Sequence, residues 1–211
     1  MGSLGLHRLM VTLCLSVFLI AIGINAHSEE VENLIKNGDF EDGLIEWNLR
    51  TDGGSVAAME EDKKEAVKGR RCIFINIDNV AGTDAWHLSL YQEGHLIEKG
   101  ETYTLAFWAK AEGIRPVVCY IEQMVDPWNE YGRGSFQVGE EWQEYWITMT
   151  ATLSEAIWPR IALGESDVSI WVDNVRFYKG EYVEEEDLEK EKAVYPAGKL
   201  STTWAEVRGG H

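Results

Sequence analysis

The sequence predicts an all-β domain built as two packed antiparallel sheets, and three observations carry that expectation. Between residues 33 and 179, apolar and polar residues alternate in short runs. Gly, Pro or Asp bounds the runs, and no segment there has a helical period. The number of runs suits two sheets packed face to face. In chain order the clearest strands are "CIFINI", "WHLSLYQ", "TYTLAFWAKA", "PVVCYIEQM", "EYWITMTAT", "RIALG" and "SIWVDNVRFY", with "EKGETY" and "EGIRP" as turns.

Each strand can be given a phase, because successive side chains point to opposite faces. Tyr103, Leu105, Phe107 and Ala109 form one apolar phase, as do Val117, Cys119 and Ile121, Leu88 and Leu90, and Ile161 and Leu163. The opposite phases are Thr104, Ala106, Trp108 and Lys110; Val118, Tyr120, Glu122 and Met124; His87, Ser89 and Tyr91; and Arg160 with Ala162. Several strands therefore turn aromatic and hydrogen-bonding side chains outward, where a merely wet sheet would carry Lys, Glu and Thr.

The ends read differently. Residues 1–26 have a weakly basic start, the apolar run "LMVTLCLSVFLIAIGINA", and Ile24 and Ala26 suited to a cleavage site before His27. That is the pattern of a secretory signal peptide, with an uncleaved anchor as the alternative. Cys14 has no lipobox around it. The domain proper is 27–180, exported to the extracellular space, the periplasm or the cell surface. Residues 181–211 open with the charge run "EYVEEEDLEKEK", which has no face to bury, and read as an acidic linker and tail that is disordered or docks on a protein partner. Cys72 and Cys119 lie in apolar runs and read as buried free thiols, although export would permit a disulfide. No Cys/His cluster suggests zinc.

Charge excludes some functions. The chain has 19 Lys+Arg against 36 Asp+Glu, a net charge of −17. That argues against nucleic acid, acidic polysaccharides and anionic membranes, and favours a neutral ligand or a cation. The 9 Trp and 8 Tyr exceed what the core of such a domain needs.

Together, "NLIKNGDFEDGLIEWNL", "VKGRRCIFINI", "AWHLSLYQEGHLIEKGETYTLAFWAKA", "EEWQEYWITMTAT" and "IWVDNVRFY" resemble carbohydrate-binding modules of families four and nine, in the same order, from about Asn33 to Tyr178. The resemblance implies a jelly-roll β-sandwich that binds β-glucan or xylan in a groove on its concave sheet, holds a structural calcium and usually accompanies glycoside hydrolases. It places the calcium at the Asp39 carbonyl, Glu41, Glu65, the Lys68 carbonyl and Asp173. Calcium takes six to eight oxygens from carboxylates and carbonyls. Asp173 interrupts an apolar strand, where an unpaired carboxylate is costly. The other reading has Asp173 cap backbone amides and both glutamates lie on the surface. Asp42 and Glu46 read as turn and surface residues.

The same resemblance sets Trp86 at the start of its strand as a stacking platform and Tyr131, on a loop, as the opposite wall, with Trp128 as an alternative. Outward phase adds Tyr120, Glu122 and Arg160, and Trp158 stands at a strand entrance. Sugars offer apolar C–H faces to rings and hydroxyls to polar groups, so aromatics interleaved with Arg and Glu suit them. Arg160 and Glu122 could equally pair with each other across the sheet. Trp47, Trp142 and Trp171 read as core or edge packing. Ser89, Glu122 and Arg160 stand where some relatives have Asn or Gln, so the particular sugar does not carry over. Trp171 stands where some relatives have a cysteine, so neither does their disulfide. Three functions compete: a non-catalytic neutral-saccharide binder, a small glycoside hydrolase, and an adhesive jelly roll binding protein through its tail.

Overall fold

The computed structural model describes residues 31–82 and 84–184. The expected signal peptide, and the tail beyond Glu184, lie outside the described residues. Among the described residues, no helix is long and apolar enough to cross a membrane.

Among the described residues, eleven strands form two antiparallel sheets. They are β1 (Asn48–Thr51), β2 (Val56–Asp62), β3 (Cys72–Asn79), β4 (Leu88–Tyr91), β5 (His95–Ile97), β6 (Thr102–Ala111), β7 (Arg115–Gln123), β8 (Glu130–Val138), β9 (Gln143–Thr150), β10 (Glu155–Ala162) and β11 (Ile170–Lys179). The front sheet runs β1-β4-β10-β7-β8, with β5 also pairing β10; the back sheet runs β2-β3-β11-β6-β9. One 3-10 turn, Ala85–His87, precedes β4. This is the two-sheet sandwich the alternation predicts.

The core lies between the sheets, and the phases assigned from sequence hold. Leu88 and Leu90, Tyr103 to Ala109 in alternation, Val117, Cys119, Ile121, Ile161 and Leu163 all join one buried cluster with Ile73, Ile75, Ile147, Val172 and Phe177. Cys72 and Cys119 are buried free thiols. Burial pushes the Cys72 thiol up to about 12 and Cys119 higher still, so both stay protonated.

Four strands escaped the sequence reading. β1 and β5 are very short, and β2, "VAAMEED", has no alternation and ends in three carboxylates. β8, "EYGRGSFQV", carries two glycines that β propensity counts against. The packing accounts for them. A Cβ on Gly134 would lie 2.3 Å from the Ile147 side chain, and one on Gly132 would lie 3.2 Å from Met149. The glycines let β8 close the sandwich edge against β9.

The acidic opening stretch is a tight loop rather than a strand. Asn37 organises it: its amide donates to the Gly43 and Ile45 carbonyls, and its side-chain oxygen accepts from the Asp42 amide. Phe40 and Trp47 plug the core from this loop, with ring centroids 5.1 Å apart. The Trp47 indole donates to the Asn37 carbonyl. Asp42 and Glu46 are exposed.

Candidate functional site

The outer face of the front sheet is where register assembles chemistry. β10 and β7 pair so that Arg160 stands opposite Tyr120, and Trp158 opposite Glu122. β4 brings Tyr91 beside Arg160 on the other side. β8 sets Arg133 against Tyr120. Directly opposed side chains on one face touch, so a row Tyr91–Arg160–Tyr120–Arg133 crosses four strands. The Arg160 guanidinium stacks 5.0 Å from the Tyr120 ring and 4.9 Å from the Trp158 ring. Arg133 lies 5.1 Å over Tyr120.

Arg160 and Glu122 form a hydrogen-bonded ion pair with side chains only 4% and 11% exposed. The Trp158 indole donates to the same Glu122 oxygen at 3.2 Å. Burial pushes the Glu122 carboxyl above its usual range and the Arg160 guanidinium below its own, while each charge pulls the other back. A pair this buried resists rearrangement, because losing one partner strands the other charge.

Above this floor is a cleft of about 370 Å³ lined by Arg50, Trp86, Glu122, Trp128, Trp158 and Arg160. Trp128 is 47% exposed, and its ring lies 6.0 Å from Trp158 at 29°. Its backbone has φ 58°, which is costly for a bulky residue and recurs at functional sites. At the other end Trp86 rises from the 3-10 turn, with the Arg50 guanidinium 4.9 Å over its ring. Arg50 in turn pairs with Asp52.

Five residues singled out from the sequence, Trp86, Glu122, Trp128, Trp158 and Arg160, therefore share one cleft. Tyr120 lies beneath it, 5% exposed, in a small cluster with Ala85, Val118 and Ala162. Tyr131 does not join them. It lies within β8 rather than on a loop, partly buried against the core between the sheets. The sequence reading missed Arg50, whose four-residue strand "NLRT" has no clear alternation; the nearby basic and acidic pair Arg50 and Asp52 was its only signal.

The second set of residues meets the loop between β2 and β3 from two sides. Asp173, fully buried, accepts the amides of Val67, Lys68 and Asn174 at 2.8, 3.1 and 2.7 Å. Burial pushes its carboxyl up to about 6; the amides oppose this, and Asp39 adds to it. Glu41 accepts the Arg70 and Arg71 amides at 2.6 and 2.9 Å, and the Arg70 amide above all holds its carboxyl low. Glu65 pairs with Lys110. Asp39 accepts the Glu41 amide. Among the described residues, no three His, Cys, Asp or Glu side chains gather as metal ligands would. A calcium ion needs oxygens facing it, and these carboxylates face N–H donors and a lysine. As the side chains stand, the set does not fit an ion shared by Glu41, Glu65 and Asp173.

Tryptophans walling an open cleft over a fixed polar floor are the kind of surface on which a sugar ring can stack and hydrogen-bond. The chain belongs to the Carbohydrate binding domain family of modules 4 and 9, which matches residues 32–163. It is similar to a solved structure described as "CBM4 structure and function", at 26% identity over 69% of this chain and 99% of that one, with a TM-score of 0.60. Two further structures share the fold alone. One is a putative sugar binding protein from Bacteroides thetaiotaomicron VPI-5482, at 17% identity over 71% of this chain and 100% of that one, TM-score 0.53. The other is a Stig cyclase from Fischerella sp. TAU, at 14% identity over 72% and 99%, TM-score 0.53. No curated protein matches the chain. The same sandwich thus occurs in a cyclase, so function here rests on the family and the site rather than the fold.

Proposed function

We propose that this protein is an exported, non-catalytic module that binds a neutral polysaccharide of the β-glucan or xylan class in the cleft of the front sheet. The carrying observation is the cleft itself: Trp86, Trp128 and Trp158 supply apolar ring surface, and Arg50, Glu122 and Arg160 supply donors and an acceptor at fixed positions. The charges pair locally, Arg160 with Glu122 and Arg50 with Asp52, so the cleft presents little net charge and suits an uncharged ligand. Hydrolysis normally needs two carboxyls flanking the scissile bond. Among the described residues, the cleft lining holds one, Glu122, already committed to Arg160 and Trp158. An open cleft and a flexible ligand predict a Kd of roughly 10–1000 μM, about −4 to −7 kcal/mol.

A glycan array tests this reading. Retention on β-glucan or xylan oligosaccharides supports it; retention on none, with the fold intact, removes it and favours the adhesive alternative. A reducing-sugar assay on glucan, xylan and mannan, with Glu122→Gln as control, excludes or reveals hydrolysis. Calcium is a separate part of the reading, supported by the resemblance and the burial of Asp173. It requires Glu41 and Glu65 to release Arg70 and Lys110. A Tm that falls by several degrees in EDTA and recovers with calcium supports it, and a Tm indifferent to both removes it.

A further inference from the structure

We infer that Gly164 and the buried Arg115 are positioning residues for Trp86, holding the turn that carries it at the height the cleft requires. The inference rests on the reading of Trp86 as a saccharide platform, and it starts from an unusual side chain. Arg115, the first residue of β7, is fully buried. Its guanidinium meets carbonyls rather than a carboxylate: Leu163 at 2.6 Å, Val168, and Pro116 at 3.3 Å. Burial lowers its pKa to about 10, with Asp167 opposing, so it stays charged at neutral pH. The planar guanidinium sets its N–H donors apart in a fixed fork that spans the two carbonyls of the loop, whereas a lysine's three donors all radiate from one nitrogen.

The loop so held reaches the turn that carries Trp86. The Leu163 amide donates to the Leu88 carbonyl at 2.7 Å, and the Gly164 amide to the Ala85 carbonyl at 2.8 Å. Ala85 and Leu88 bracket Trp86 and His87. The Gly164 backbone lies so close that a Cβ there would sit 2.7 Å from the Ala85 oxygen and 2.8 Å from the Asp84 oxygen. Backbone oxygens cannot swing aside, so a side chain at 164 must push the turn itself. Ser89 closes the turn by donating to the Trp86 carbonyl at 2.9 Å. The Asp52 amide holds its other flank at the His87 carbonyl, at 2.6 Å. Stacking falls off steeply with ring displacement, so a small shift of this turn is felt as lost affinity.

The test is a double-mutant cycle read by affinity electrophoresis on soluble xylan and mixed-linkage β-glucan. Gly164→Ala is expected to weaken binding about tenfold in the wild-type background, and less than about twofold when Trp86→Ala is already present. Arg115→Lys is the milder arm, about threefold with the same dependence on Trp86. If Gly164→Ala does not fold, Arg115→Lys through the same cycle decides. A second readout needs no saccharide: peptide mapping after N-bromosuccinimide oxidation should show a changed rate at Trp86, with Trp128 and Trp158 unchanged. Equal losses in both backgrounds, or an unchanged Trp86 oxidation rate, overturn the inference. If Trp86→Ala costs no affinity, the platform reading falls, and the oxidation rates still show whether Gly164 positions the ring.

Discussion

The two outer faces of the sandwich are built from the same kinds of residue and differ in what covers them. The front face has the ion pair Arg160–Glu122, its side chains 4% and 11% exposed; the back face has Arg176–Glu144, at 7% and 9%. Tryptophans flank both. On the front, Trp86, Trp128 and Trp158 line an open cleft. On the back, Trp146 carries the Tyr182 ring at 4.0 Å and 12°, and the Tyr182 hydroxyl donates to Glu144 at 2.7 Å. The Val183 amide donates to the Tyr178 hydroxyl, and the Gly180 amide to the Thr102 carbonyl. Thr104, Ala106 and Tyr178 are consequently buried although they point away from the core. Further along the same face, Lys110 lies over Trp171 and Trp142. Aromatic content on a sheet therefore does not mark a site. What sets the front apart is convergence: Trp86, Trp128 and Trp158 line one cleft, whereas Trp146, 45% exposed, is stacked by Tyr182 outside any such group.

The contrast predicts that back-face substitutions cost stability and front-face substitutions cost binding. The largest effect belongs to Asp173 on the back sheet. Asp173→Ala strands three amides and should lower stability by about 3 kcal/mol in urea unfolding, with saccharide affinity unchanged in the folded fraction. Next is Trp128→Ala on the front, 47% exposed, expected to weaken saccharide binding by about 2 kcal/mol, or roughly thirtyfold, while Tm moves little. Tyr182→Ala is the smallest, about 1 kcal/mol of stability from the lost stack and hydrogen bond, with no change in affinity. If Tyr182→Ala creates a new saccharide-binding surface at Trp146, the two faces differ only by their cover, which sharpens the comparison further.

Much of this was legible in the sequence because period-two alternation encodes which side chains share a face. "TYTLAFWAKA" and "PVVCYIEQM" gave their inner residues directly, and outward phase put Tyr120, Glu122 and Arg160 on one surface. Register was not legible. The pairing of Arg160 with Glu122 could be named only as an alternative, since it depends on how β10 slides against β7. Glycine in β8 hid a strand, and with it the fact that Tyr131 packs on the core rather than standing on a loop. Tyr182 was passed over because it sits in a charge run; one ring among carboxylates is enough to dock on a waiting tryptophan. The carboxylates of the opening loop and Asp173 were legible as special, while their partners were not. Whether an acid meets a cation or an amide depends on loop geometry that residue spacing does not contain.

The most direct test pairs one tryptophan from each face in affinity electrophoresis on xylan and β-glucan gels. Trp128→Ala should migrate as it does in a gel without polysaccharide, while Trp146→Ala should be retarded as strongly as the wild-type protein. Retardation kept by Trp128→Ala and lost by Trp146→Ala would contradict the assignment of the front cleft as the saccharide site.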